Sequence, residues 1–220
     1  MSSHGFARYA RSAAVVALAA FMFAPGLAAQ DEKPAPPDGW IVRTDGGGHG
    51  GGDMEFMDMA PGWHITTGPS GIFYHPDRTA SGSYRVESEV FLFDPGRRNE
   101  AFGIIIGGSG LDGDSQAYTY FLMRRDGSVL VKRRDGAQTS NLMGWTAHEA
   151  VVKWEDRADD GATARNVLAA EVGGGEMAFF VNGEEVFRAS SEDQHVDGIV
   201  GLRVNHGLNL HFSSLEITSR

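Results

Sequence analysis

Two glutamates and an arginine in the stretch Arg85-Val86-Glu87-Ser88-Glu89 are the residues of this chain most plainly disposed to chemistry. In an extended strand alternate side chains share a face, and positions two apart lie roughly 6.6 Å from each other. Carboxylates at that range suit a general acid and a nucleophile or base, the pair that glycoside hydrolysis employs. Glu87 and Glu89 are therefore the candidate catalytic residues. The competing reading is a solvated polar face on which Arg85 offsets its acidic neighbours, and strands carry that arrangement more often.

A second group could hold a ligand without reacting with it. Tyr118 and Tyr120 share one face of the run Tyr118–Arg125, while Phe121, Met123 and Leu130 have the pattern of a buried face. Ring faces beside a planar cation suit sugar rings, which present apolar C–H faces and polar edges. Packing in the interior is the alternative use for such tyrosines. A two-residue turn at Asp126-Gly127 would place Arg133 opposite Tyr120 and Val131 opposite Leu122. Near the end of the chain, Arg203, Asn205 and His206 form a further polar cluster beside a turn at Asn205-His206-Gly207. The candidate ligand-binding set is Arg85, Tyr118, Tyr120, Arg133, Arg203, Asn205 and His206.

Other chemistries find less to work with. Asp112 and Asp114 stand two apart in the loop Ser109–Gln116, and a calcium ion is the one cofactor that loop could take. Calcium asks for six to eight oxygens, however, and Asp-Gly pairs are ordinary turn residues. The chain has no cysteine, which excludes disulfides, thiol chemistry and thiolate metal sites. Eight histidines are present, but His-Glu-x-x-His is missing, and so is the Gly-x-Ser-x-Gly of a serine nucleophile. Asp45–Asp53 is mostly glycine around His49; no Lys or Ser/Thr follows at phosphate-loop spacing, so it reads as a connector.

The elements that must position these residues are strands. Gly82–Phe93, Phe102–Gly108, Tyr118–Arg125, Ser128–Arg134, Asn166–Val172, Met177–Phe187 and Gly198–Arg220 all alternate with a period of two. Asn182-Gly183 marks a second hairpin, with Phe179 expected to face Val186. Val151-Val152, between Trp145 and Trp154, reads as an edge strand, and Trp40–Arg43 as another. No window beyond the N-terminal segment keeps a helical period, which predicts an all-β fold, a two-sheet antiparallel sandwich or jelly roll.

The N-terminus sets the expected compartment. Arg8 and Arg11 precede the apolar run Ser12–Phe23, and small residues follow up to Ala29, the pattern of a secretory signal peptide over 1–29. A Pro- and Gly-rich leader over 30–53 and a sandwich domain over 54–220 complete the expected organisation, in a periplasmic or secreted protein. The run is too short for a membrane span. The chain's formal charge is −10, and losing Arg8 and Arg11 with the leader makes it −12. So acidic a protein has no electrostatic reason to bind nucleic acid or an anionic membrane. Oligomeric state leaves no mark in the sequence.

The closing segment GIVGLRVNHGLNLHFSSLEI, with FFVNGEEVF and YTYFLMRRDG upstream, resembles the concanavalin A-like lectin/glucanase sandwich. Within that group it looks closest to laminin G-like domains and to the 3-keto-disaccharide hydrolase domain family. The resemblance covers about Met54 to Arg220 and implies a carbohydrate held on the concave face of one sheet. Glucanases of this fold carry a Glu-x-Asp-x-Glu strand, from which Arg85–Glu89 departs, and the acidic cluster of the hydrolase-like family has no counterpart after Phe102–Gly108. The leading expectation is a carbohydrate-binding domain. The alternatives are a glycoside hydrolase-type enzyme using Glu87 and Glu89, and a scaffold or adhesion domain recognising protein.

Overall fold

Alternating apolar residues can bury one side of a strand only if a second layer covers it, and the structure, a computed structural model, solves this with two stacked sheets. It describes Met1, 35–46, 54–158 and 161–220. The expected signal peptide past Met1, the start of the leader and the glycine run around His49 lie outside the described residues.

Among the described residues every regular element is a strand. In chain order these are β1 (Ile41–Thr44), β2 (Glu55–Asp58), β3 (Trp63–Thr66), β4 (Gly71–Ala80) and β5 (Tyr84–Leu92). Then follow β6 (Ala101–Ser109), β7 (Ala117–Arg124), β8 (Ser128–Asp135), β9 (Gln138–Ala147) and β10 (Ala164–Gly173). The last are β11 (Glu176–Val181), β12 (Glu184–Ser190), β13 (Gly198–Val204), β14 (Asn209–Phe212) and β15 (Glu216–Ser219). Seven strands form one sheet in the order β1-β4-β13-β6-β7-β8-β9. The other sheet runs β12-β11-β10-β5-β14-β3-β2, with β15 also paired to β5. Pairings in both are antiparallel, so the expected two-sheet sandwich is the fold.

β5 shows how the sequence writes the layers. Tyr84, Val86, Ser88, Val90 and Leu92 are buried in strict alternation with half-exposed Arg85, Glu87, Glu89 and Phe91. Its inner residues meet Phe102, Ile104, Phe121, Leu202 and Val204 of the seven-stranded sheet in one core. The polar groups on that inner side are satisfied: Ser88 donates to the Ser214 carbonyl at 2.7 Å, and the Tyr84 hydroxyl donates to that of Val196.

Four local expectations need correction. Gly127 N–H bonds the Arg124 carbonyl at 3.1 Å, and of the turn residues only Gly127 has positive φ, at 87°. The β7–β8 hairpin therefore closes through a longer turn than Asp126-Gly127 alone, and the register moves by one. Tyr120 faces Lys132, and Leu122 faces Leu130. The β11–β12 hairpin does turn on Asn182 and Gly183, both at positive φ, but a bulge beyond Phe180 pairs Phe179 with Phe187 instead of Val186. Val151-Val152 is not a strand; Val151 plugs the core from a loop, while the sheet's edge is β9, whose polar residues give no hydrophobic period. Finally, the sandwich also takes in β1, upstream of Met54, as the edge partner of β4.

Candidate functional site

The outer face of the seven-stranded sheet does not behave as a solvated surface. Ile72, Tyr74, Ile105, Tyr118, Tyr120, Leu122 and Leu130 point away from the main core, yet all are buried in a second apolar cluster. Antiparallel pairing puts them in rows: Ile105 beside Tyr120, Tyr120 beside Lys132, and Lys132 beside Asn141. A floor this apolar with charged residues at its margin is a recess that a ligand can enter.

Arg203 is the polar centre of that floor. It sits on β13 between Ile72 and Gly103, and only 7% of it is exposed. Its guanidinium grips both carboxylate oxygens of Asp45, at 2.9 and 2.7 Å, and donates at 3.4 Å to the Tyr118 hydroxyl. The same group lies 5.5 Å from the Tyr120 ring centre. Burial pushes the Asp45 carboxyl up, but the Arg203 hydrogen bonds and charge outweigh it and hold the group below the usual carboxylate range. Burial likewise raises the Tyr120 hydroxyl, which stays protonated. The Nε of Arg203 and the Oδ1 of Asn205 are buried with no hydrogen-bond partner among the described residues. Polar atoms left in that state usually wait for water or ligand.

Beside Arg203 the recess opens into a cleft of ≈ 370 Å³. Tyr120 and Leu130 floor it, Asn205 and Asn141 stand at its sides, and Lys132 and Trp145 reach it from β8 and β9. Trp145 is 37% exposed, with the Arg124 guanidinium 3.6 Å from its ring centre. A cation on one aromatic face holds the ring upright and leaves its other parts for a ligand. Apolar ring faces, planar cations and amides in one hollow can take a sugar by stacking and by edge hydrogen bonds. Among the described residues no carboxylate lines this cleft, so the carboxylate pair that glycoside hydrolysis employs is not found there.

The remaining sequence candidates fall elsewhere. Arg85, Glu87 and Glu89 lie on the outer face of the eight-stranded sheet, across the core from Tyr120 and Arg203. Arg85 donates to Glu87 and to Glu171, each at 2.5 Å. Glu89 accepts from Ser213 and Arg165. The Ser213 hydroxyl, opposed by burial and helped by Arg165, holds the Glu89 carboxyl low, the reverse of what a general acid needs. Arg133 pairs with Thr119 and spends its guanidinium on Asp135 and the Asp193 carbonyl; the one-residue register difference takes it off the Tyr120 face. His206 stands in the turn after β13, its ring nitrogen 2.8 Å from the Ser70 hydroxyl. Asp112 and Asp114 flank carbonyls that already receive Arg43, which donates to Leu111 at 2.9 Å and to Gly113 at 2.6 Å. No cluster of three or more His, Asp or Glu suited to a metal occurs among the described residues.

Of the expected ligand-binding set the structure brings Tyr120, Arg203 and Asn205 to one cleft, while Tyr118 is fully buried beside Arg203 and does not line it; the residues around the cleft outside that set are Asp45, Arg124, Lys132, Asn141 and Trp145. Two of these had a signal: Arg124 precedes the turn on the face of Tyr118 and Tyr120, and Lys132 follows once the turn is read as four residues.

No protein-family model matches the chain, and no curated protein matches it. Solved structures do. The carbohydrate binding module CBM66 from Bacillus subtilis superposes with a TM-score of 0.58 at 13% identity, over 82% of this chain and 96% of that one. A Bacillus subtilis protein of unknown function with a galectin-like fold gives 0.54 at 10% identity, over 82% and 89%. The beta-glucanase of Bacillus licheniformis gives 0.53 at 12% identity, over 86% and 96%. The fold is therefore that of the concanavalin A-like lectins and glucanases, as the closing strands suggested.

Proposed function

We propose that this protein is an exported carbohydrate-binding sandwich whose ligand lies in the cleft on the outer face of the seven-stranded sheet. The observation that carries the reading is the cleft itself, where Trp145 and Tyr120 offer ring surface while Arg203, Asn205 and Asn141 offer directed polar groups. The fold similarity to a carbohydrate binding module supports the same class. Export rests on the signal-peptide pattern of 1–29.

Hydrolysis finds its candidate carboxylates on the other sheet, each committed to guanidinium partners. A protein-recognising scaffold would show a broad apolar patch. The exposed large apolar residues among those described are Met1, Met59, Trp145 and Val152, and Trp145 belongs to the cleft. A glycan array read beside a reducing-sugar release assay on the purified protein tests the proposal. Binding without release supports it; release of sugar ends mere binding as the function, and an empty array ends the carbohydrate reading altogether.

A further inference from the structure

The cleft is charged against the grain of the molecule. The chain carries 29 acidic residues and 19 Lys and Arg, yet the outer face of β7, β8 and β13 gathers Arg124, Lys132, Arg134 and Arg203. Arg134 lies beside the cleft, opposite Tyr118 and 5.9 Å from its ring centre. Asp45 is the carboxylate that answers this group, and both of its oxygens are taken by Arg203. No ion pair joins Arg124, Lys132 or Arg134 to a carboxylate among the described residues. Asp126 acts on Arg124 only as a charge at longer range, being hydrogen-bonded to Ser128 and Asn99. The Nε atoms of Arg124, Arg134 and Arg203 are buried without a partner.

Several arginines elsewhere are paired, Arg85 with Glu87 and Glu171, Arg188 with Glu176 and Glu185, Arg220 with Glu171, whereas Arg78 and Arg157 stand alone on backbone carbonyls and tryptophan rings. Among the described residues, only in the cleft do several unpaired cations gather on one face. Half-buried cations left unneutralised inside a recess repel one another and cost stability, so their retention calls for an anion that comes from outside. Guanidinium and ammonium groups around a ring-stacking surface read carboxylates on a sugar, with arginine able to take both oxygens at once.

Resting on the carbohydrate reading above, we infer that the ligand is an acidic glycan, a chain of uronic-acid residues whose carboxylates meet Lys132, Arg124 and Arg134 while a ring stacks on Trp145. The chain's net charge of −10 then disfavours other polyanions that cannot supply the stacking ring.

The test titrates the full-length protein with a panel of uronic-acid oligosaccharides, each beside its carboxyl-reduced, neutral counterpart, and with polyglutamate of matched charge. For at least one pair the acidic member is expected to bind about ten-fold or more tightly than the neutral one. That gap is expected to shrink several-fold between 50 and 500 mM salt, as screening predicts to order of magnitude, and again in Lys132→Gln. Equal binding of acidic and neutral members overturns the acidic ligand and leaves the carbohydrate reading standing. Binding of no sugar overturns both. Polyglutamate bound as tightly as the best acidic sugar overturns the glycan and leaves an anion site of another kind. The Lys132 side chain makes no hydrogen bond or ion pair among the described residues, and the substitution leaves its backbone pairing to β7 and β9 in place, so the variant is expected to keep the fold; an unchanged gap in folded Lys132→Gln and Arg134→Gln overturns the role given to these cations.

Discussion

Arg203 must remain charged where water is scarce, and it does so because Asp45 meets it with both carboxylate oxygens. Since the folded pKa of Asp45 lies below its ordinary value of 3.8, the pair contributes in full above about pH 4 and its contribution is lost as acid carries the solution down through the depressed value. Asp45→Asn should therefore lower stability at pH 7 by about 1–3 kcal/mol, less than the 3–5 of a fully buried pair, because the Asp45 side chain is 39% exposed. Denaturant melts at pH 7 and pH 3 check this, and the gap between variant and parent should close in acid. Trp145→Ala tests the other side of the cleft: the exposed ring leaves with little effect on stability, about 1 kcal/mol or less, while sugar affinity falls about ten-fold. At this scale the sequence was partly legible. Tyr120 and Arg203 were visible as members of alternating strands, but Arg133 was drawn in and Lys132 left out because a turn one residue longer changes which side chains stand together.

Between residue and fold, turns and strand pairs decide register. Gly127 closes the β7–β8 hairpin at φ 87°, where a β-carbon would lie 3.0 Å from the Lys153 side chain. Gly127→Ala should cost about 1 kcal/mol or more and weaken ligand binding too, because Tyr120 and Lys132 owe their alignment to that turn. Thermal melts and binding titrations of the one variant check both effects. On the other sheet β3 and β14 place His64 directly beside His211, ring centres 6.4 Å apart. Burial first and the His211 charge second hold His64 below its ordinary 6.5, so the unfolded chain binds more protons in the window beneath that value. Stability should thus fall as pH drops from 6.5 toward 5, and His64→Gln should flatten the fall in a melting-temperature series. No such pair was legible in the sequence, since strands 147 positions apart meet only in the folded sheet. β9 was missed for a different reason: a polar edge strand buries too little to show a period, whereas Val151 and Trp154, more apolar, sit in a loop.

Over the whole molecule the sandwich was legible almost throughout, because a core between two layers imposes its period on every strand that faces it. What the period cannot say is which sheet a strand joins, and so which outer faces coincide. Arg85, Glu87 and Glu89 share a pattern with Tyr118, Tyr120 and Arg203, but lie on the opposite side of the protein. Glu87→Gln with Glu89→Gln should accordingly leave sugar affinity within about two-fold of the parent and cost roughly 1 kcal/mol or less of stability, as partly exposed ion pairs do; titration and melting of the double variant check it. The division also bears on how such a protein can change. Lys132, Asn141 and Trp145 belong to the β8–β9 hairpin, and among the described residues β9 has a neighbour on one flank only. One wall of the cleft is thus carried partly by a border strand whose outward residues Asn141 and Trp145 can be exchanged while Leu142 and Met143 keep their packing on the core, so new selectivity can be grafted there without renegotiating the fold.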